Sequence, residues 1–204
     1  VNTMIQGFST AYLFQLSLIT SAMLLSPASM SAQDEPIKTT SLDSATTFSL
    51  QSNLTPNASI PADYYWNQFG CSGANLAPKL TWEHAPKGTQ SFAVTFYDKD
   101  APTGSGFWHR VVYNIPSQIN QLEGGVNGGT LPAEAIEANT DLGKPGFFGP
   151  CPPKGREHRY VWTVHALDVA KLPIDANASP ALVGFYLWQH RLAEANLTVL
   201  AGSK

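Results

Sequence analysis

Alternating apolar and polar positions predict two neighbouring β-strands in the middle of the chain. The run Phe92–Tyr97 is apolar and includes β-branched residues, which is typical of a buried strand. A turn rich in carboxylates and broken by Pro102 follows, and a second strand is predicted over Phe107–Ile115. Because side chains alternate between the two sides of a strand, one face of the second strand is expected to carry four residues together, Phe107, His109, Val111 and Tyr113.

A third strand and a helix are predicted further along the chain. The stretch 143–155 contains several prolines and glycines, which remove hydrogen-bond donors and demand unusual backbone angles, so it is expected to be a loop. The strand that follows should place four side chains on one face and His165 on the other; the four are His158, Tyr160, Trp162 and Val164. Ser179 and Pro180 are typical of a helix start, and the apolar residues beyond them predict a helix to about Leu200.

The first part of the chain differs in character from the rest. Phe8 to Leu25 is mostly apolar and is followed by small residues, which is typical of a secretory signal peptide. We therefore expect a signal peptide over residues 1–32, a flexible segment rich in Ser and Thr over 33–47, and one folded domain over 48–204. The protein is accordingly expected to be exported, either periplasmic or secreted.

Composition and charge narrow the classes of function. The 204 residues are 43% hydrophobic and 13% charged, which suits a globular chain of one domain or at most two. The formal net charge is −3. This balance offers no basic surface for nucleic acid, and we expect no nucleic-acid partner.

Several ordered motifs resemble one protein family. Asp98-Lys-Asp-Ala-Pro102 is followed by Trp108-His109 ahead of a Val-Val-Tyr-Asn-Ile-Pro strand, and then by Gly149-Pro-Cys-Pro-Pro-Lys-Gly-Arg-Glu-His158-Arg-Tyr160. Together with the upstream Phe69–Trp82 segment, these motifs resemble the bacterial, Raf-kinase-inhibitor-like branch of the phosphatidylethanolamine-binding proteins. The resemblance runs from about Thr46 to Leu200. It implies a mainly β fold, a sandwich of antiparallel sheets with a C-terminal helix and short peripheral helices.

The same resemblance implies a small anion pocket. In this family such a pocket binds phosphoryl headgroups, and the matching positions here are Asp98, His109, Gly149, Pro150, His158 and Tyr160. Imidazole and phenol groups, with loop amides, supply donors suited to phosphate. Asp98 is expected to accept a hydrogen bond from a neighbouring histidine or from a headgroup amine. We therefore expect a non-enzymatic binding protein with no cofactor, whose ligand is an anionic small molecule such as phosphate or a phosphoethanolamine-like phospholipid headgroup.

Two cysteines, Cys71 and Cys151, fall in the glycine-rich loops of these motifs. If the protein is exported, an oxidising compartment permits a disulfide between them. Two free, buried thiols that pack as small hydrophobic groups are the alternative. The sequence leaves both open.

Other functions stay open at this stage. Two Asp and two His residues could bind a metal in a hydrolase, although no typical metal-ligand spacing and no nucleophile motif is present. The family also includes kinase and protease inhibitors, so action on a protein partner is a further alternative, and a homodimer is not excluded. His84, His165 and His190 are expected to have structural roles, and Asp100 is expected to cap the turn before Pro102.

Overall fold

The computed structural model of the protein describes residues 46–202. The predicted signal peptide and residues 33–45 of the predicted flexible segment lie outside the described residues, so these assignments stay predictions. Within 46–202, no helix has both the length and the apolar character needed to cross a membrane.

The described chain is mainly β and contains one α-helix. The helix α1 spans Pro180–His190, and a single 3-10 turn spans Ala62–Tyr64. The strands are β1 Ser49–Ser52, β2 Leu76–Ala77, β3 Leu80–Glu83, β4 Ser91–Asp98, β5 Phe107–Pro116, β6 Gln121–Leu122, β7 Gly125–Val126, β8 Ile136–Glu137, β9 Glu157–Leu167 and β10 Arg191–Gly202.

A five-stranded antiparallel sheet forms the centre of the fold. Its strand order is β10-β9-β4-β5-β8, and a three-stranded sheet in the order β1-β3-β6 packs over one face. The core between them contains large aromatic side chains, including Trp82, Phe92, Phe96 and Trp162. The helix α1 covers the opposite face through Val183 and Leu187. The predicted antiparallel β-sandwich with a small helical complement is therefore confirmed.

The predicted end of the helix is wrong. Ser179 begins α1 as expected, because its hydroxyl accepts a hydrogen bond from the Leu182 amide at 3.2 Å. The helix ends at His190, however, and Arg191–Gly202 continues as β10. Buried positions in β10 recur at every second residue, which is the period of a strand and not of a helix. β10 pairs with β9 along its whole length, and this pairing stabilises the extended conformation of residues 191–202 over a helix.

The predicted face of β5 is confirmed for Phe107 and His109, whose ring centroids are 5.0 Å apart, but it is wrong for Val111 and Tyr113, because β5 contains a bulge at His109. Phe96 of β4 lies opposite Arg110 and Tyr97 lies opposite Trp108, so His109 is an extra residue between these two pairs. His109 and Arg110 consequently point to the same side of the sheet, where they contact Phe96 and Phe147.

Beyond the bulge, the side chains of β5 point to the face opposite to the one predicted. Val111 and Tyr113 pack with α1 on the other face of the sheet and not beside His109. The imidazole of His109 stays on the side of the aromatic core between the sheets, where it contacts Phe96 and Tyr160.

Candidate binding pocket

Three strands bring the predicted polar residues together at one end of the large sheet. Asp98 is the last residue of β4, and it lies opposite Tyr160 of β9 and Phe107 of β5. His158 and Tyr160 share a face of β9, as the alternation predicted, and their rings are stacked at 6.3 Å. His109 of β5 lies at the same place, with its ring centroid 5.3 Å from that of Tyr160.

Asp98 is a buried carboxylate that accepts hydrogen bonds from its neighbours. The Nδ1 atom of His158 lies 2.8 Å from Oδ2, and the Asp100 amide donates to Oδ1 at 2.9 Å. Since a carboxylate can only accept, these contacts place a proton on Nδ1 of His158. The prediction that Asp98 accepts from a neighbouring histidine is confirmed.

Tyr160 is held in its neutral form. Burial raises the pKa of its hydroxyl far above the ordinary value, and the negative charge of Asp98 raises it further. The hydroxyl therefore keeps its proton and can donate a hydrogen bond.

His109 is a neutral imidazole with a defined tautomer. Its Nδ1 atom lies 2.7 Å from the carbonyl oxygen of Phe148, and because a carbonyl can only accept, Nδ1 carries the proton. Burial lowers the pKa of His109 to about 4, outweighing the Phe148 hydrogen bond and the nearby Asp98 charge, which act in the opposite direction. At neutral pH its Nε2 atom is therefore a hydrogen-bond acceptor.

A cavity of about 230 Å³ opens between these residues. Asp98, His109, His158 and Tyr160 lie in its wall, and no Lys or Arg of residues 46–202 does. The remaining wall is mostly apolar, with aromatic side chains from Trp66, Phe69, Phe107 and Phe148. A small apolar cavity with a few convergent polar groups has the form of a ligand site.

Gly149 and Pro150 shape the site from behind and are not part of the cavity wall. The Gly149 amide donates to Oδ1 of Asn75 at 2.7 Å, and the Pro150 carbonyl accepts from the Trp66 amide at 3.0 Å. A Cβ atom on Gly149 would lie 2.5 Å from the carbonyl oxygen of Tyr64. Glycine is required here because two backbone segments approach closely, and its amide is already occupied.

Asn75 lies in the Phe69–Trp82 segment and supports the site, although the sequence did not identify it as a site residue. It is buried, has a φ of 51°, and its side chain donates to the Phe147 carbonyl at 3.1 Å while accepting from Gly149. Asn tolerates positive φ better than most residues. Its position in a loop rich in Gly and Asn was the available signal.

Cys71 and Cys151 form a disulfide in the structure, with their Cα atoms 5.9 Å apart. The bond joins two loops that are 80 residues apart in sequence. Cys151 lies in the cavity wall, as does Phe69, whose ring stacks on Trp66 at 5.0 Å. The disulfide therefore connects the two loops at the edge of the cavity.

The other histidines and charged residues of the described chain do not line this cavity. His165 is on the opposite face of β9, where its Nε2 atom lies 3.3 Å from the Thr95 hydroxyl. Asp100 does not cap the turn as expected, because its carboxylate instead pairs with Arg159 at 2.6 Å. Within 46–202, no group of three or more His, Cys, Asp or Glu side chains is placed to hold a metal ion, so the hydrolase alternative gains no site from the described part of the chain.

Comparison with known proteins agrees with this architecture. A family model described as phosphatidylethanolamine-binding protein matches residues 51–202. The chain belongs to the phosphatidylethanolamine-binding protein family. Among relatives in this family, YbhB of Escherichia coli is 43% identical over 153 residues, which cover 74% of this chain and 97% of YbhB. YbcL of Escherichia coli is 45% identical over 159 residues, which cover 76% of this chain and 87% of YbcL.

The fold of the family is shared as well. The crystal structure of Escherichia coli YbcL, described as a member of the mammalian family, superimposes with a TM-score of 0.73 at 42% identity. The match covers 77% of this chain and 99% of the YbcL chain. A further family relative, the Mycobacterium tuberculosis lipoprotein LppC, is 38% identical over 116 residues, or 56% of this chain and 55% of LppC. The resemblance drawn from the sequence motifs is thus confirmed.

Proposed function

We propose that this protein binds a small phosphate-bearing molecule, such as a phosphoethanolamine-like headgroup, in the cavity between His109 and His158, without converting it. The observation that carries the proposal is the buried Asp98–His158 pair, with Nδ1 and Oδ2 at 2.8 Å in the wall of the cavity. Family membership supports a binding protein, and the location and chemistry of the ligand are the proposed part.

The hydrogen-bond pattern leaves one nitrogen of each of the two histidine rings for a ligand. Nδ1 of each histidine is engaged, by Phe148 and by Asp98, so Nε2 is the polar ring atom left for a ligand. Protonation of His158 makes its Nε2 a donor to phosphate, and the Asp98 charge compensates the imidazolium. The neutral His109 instead accepts, from a P–OH group or from an ammonium group of the ligand.

Calorimetric titration of the purified protein with phosphoethanolamine, and separately with inorganic phosphate, tests this proposal. We expect saturable binding that the His109→Ala, His158→Ala double variant loses. His84→Asn is a matched control, because His84 is exposed, lies away from the cavity and has a positive φ that Asn tolerates. Repeating the titration in buffers of different ionisation enthalpy counts the protons taken up on binding.

Two results of the titration would overturn the proposal. If neither ligand gives heat at millimolar concentrations, where a dissociation constant of 1 mM corresponds to about −4 kcal/mol, the cavity is not a site for phosphate. Binding that the double variant retains would place the site elsewhere on the molecule.

We also propose that the protein is exported. The disulfide between Cys71 and Cys151 suits an oxidising compartment, the predicted signal peptide supplies a route, and the name of the relative LppC describes a lipoprotein. After expression of the full chain in a bacterium, we expect the protein in the periplasmic fraction with an N-terminus near Gln33. An unprocessed chain with two alkylatable thiols in the cytoplasmic fraction would contradict export.

A further inference from the structure

A second cavity adjoins the candidate binding pocket and shares part of its wall. It has a volume of about 830 Å³ and, like the first cavity, is lined by Pro102, Pro153 and His158. His158 therefore lies at the boundary between the two spaces, and the second cavity is within reach of a ligand that extends past this residue.

The two cavities differ in charge. No Lys or Arg of the described part of the chain lines the first, whereas Arg156 and Arg159 line the second together with Asp100 and Glu157. Arg159 is fixed by Asp100, because its Nε donates to Oδ2 at 2.9 Å and an Nη atom donates to Oδ1 at 2.6 Å. These hydrogen bonds also lower the pKa of Asp100 to about 2, so this pair is ionised and mutually compensated at neutral pH.

Arg156 is in a different situation. It lies two residues before His158, its backbone amide donates to the Pro153 carbonyl at 3.1 Å, and its side chain is exposed. Within the described range 46–202, no carboxylate lies within ion-pair distance of its guanidinium. A guanidinium is planar and offers paired donors that match a carboxylate or a phosphate.

We infer that the ligand carries a second anionic group besides its phosphate, and that Arg156 binds this group. This inference rests on the proposed function. A phosphoserine-type headgroup has the required chemistry, since it adds a carboxylate to the phosphate and ammonium of phosphoethanolamine. Arg156 then determines specificity between these two headgroups. Glu157 disfavours a second anion in part of the same cavity, so the contribution of Arg156 is a modest one.

Paired titrations test the inference and identify the source of the headgroup. One pair is O-phosphoserine against phosphoethanolamine, which are free monoesters. The other pair is glycerophosphoserine against glycerophosphoethanolamine, which reproduce the phosphodiester of a lipid headgroup. We expect the serine compound to bind about threefold to fivefold more tightly in at least one pair, as is usual for a solvent-exposed charge contact, and the preference to shrink at high salt.

Two variants separate Arg156 from general electrostatics. Arg156→Gln should abolish the preference, so that the two compounds of each pair bind with equal affinity. Lys154→Gln is the matched control, because Lys154 lies in the same loop, is exposed and lines neither cavity, and it should keep the preference. A preference in the diester pair indicates a lipid headgroup, and one confined to the monoester pair indicates a soluble phosphate ester.

Each remaining outcome overturns a specific claim. Equal binding within both pairs, or a preference that survives in Arg156→Gln, refutes the role of Arg156 while the phosphate site stands. A wild-type protein that binds none of the four compounds and no inorganic phosphate refutes the proposed function itself, and this inference with it.

Discussion

The Nδ1 atom of His158 lies 2.8 Å from the Oδ2 atom of Asp98, and both side chains are almost completely buried. A second Asp–His contact, between Asp168 and His190, has nearly the same length, 2.9 Å, but lies at the surface. The protein thus contains the same chemical pair in two environments. Comparison of the two pairs separates the effect of burial from the effect of the contact.

Asp98→Asn should destabilise the protein by about 1–3 kcal/mol, because a buried donor is left without its charged acceptor. It should also weaken phosphate binding, since protonated His158 loses its compensating charge. Urea unfolding and calorimetric titration measure the two effects. Asp168→Asn is the matched control, and we expect it to change stability by less than about 1 kcal/mol and to leave binding unchanged. Equal effects of the two substitutions would show that burial of the Asp98 pair has no energetic importance.

Stability should fall as the pH is lowered from about 6.5 toward 4. Burial lowers the pKa of His109 to about 4 and that of His165 to about 3, while both titrate near 6.5 in the unfolded chain. In this range the unfolded state binds more protons, so acidification favours unfolding, by about 3 kcal/mol for His109 once the pH reaches 4.

The pH dependence is checked by urea unfolding at pH 7 and pH 5. His109→Gln should reduce the loss of stability between these pH values by about 2 kcal/mol, whereas His84→Asn should leave it unchanged. A free energy of unfolding that is the same at both pH values would contradict the prediction, as would a His109→Gln variant with the full loss.

Gly149→Ala should be destabilising by more than about 1 kcal/mol. The added Cβ would lie 2.5 Å from the Tyr64 carbonyl oxygen and 2.8 Å from the Trp66 nitrogen, and both are backbone atoms that cannot rotate away. Gly184→Ala in α1 makes the same chemical change with its nearest neighbouring atom at 3.9 Å, and it should stabilise by about 0.5–1 kcal/mol. Thermal unfolding of the two variants should therefore shift in opposite directions.

Replacing both Cys71 and Cys151 with Ala should cost about 2–4 kcal/mol, because the disulfide closes a long loop and restricts the unfolded chain. Urea unfolding under oxidising conditions measures the loss. Addition of a reductant should bring the wild-type protein toward the stability of the double variant and leave the variant itself unaffected. If the reductant does not change the free energy of unfolding of the wild-type protein, the disulfide contributes little to stability.

The sequence predicted the fold where a regular pattern continued without interruption. Alternation in β9 correctly placed His158 and Tyr160 on one face and His165 on the other. It failed for Val111 and Tyr113, beyond His109, because a bulge depends on how β5 pairs with β4 and leaves no mark in the period of either strand. It also failed beyond His190, where apolar residues such as Leu192 and Leu197 fit a helical period as well as a strand.

The sequence predicted which polar side chains lie together at the site, but it did not predict the hydrogen bonds between the loops behind it. Asp98, His109, His158 and Tyr160 line one cavity. Gly149 was expected among the ligand-binding residues, but Asn75, 74 residues earlier in the chain, already accepts a hydrogen bond from its amide. A hydrogen bond over that separation arises from the folded arrangement of loops and has no local signal. The binding role of these residues stays a prediction until a ligand is measured.

The pairing of β4 with β5 contains a second irregularity. Phe92 lies opposite Ile115 and Val94 opposite Val112, so β5 has one more residue than β4 between these pairs, and Asn114 there has a φ of 58°. A strand with two bulges at fixed positions cannot slide past its neighbour, because a shift of one residue would misplace both irregularities and turn apolar side chains to the wrong face. The alignment that brings His109 beside Asp98 is therefore specified twice along a single strand, and mispaired sheets are disfavoured during folding.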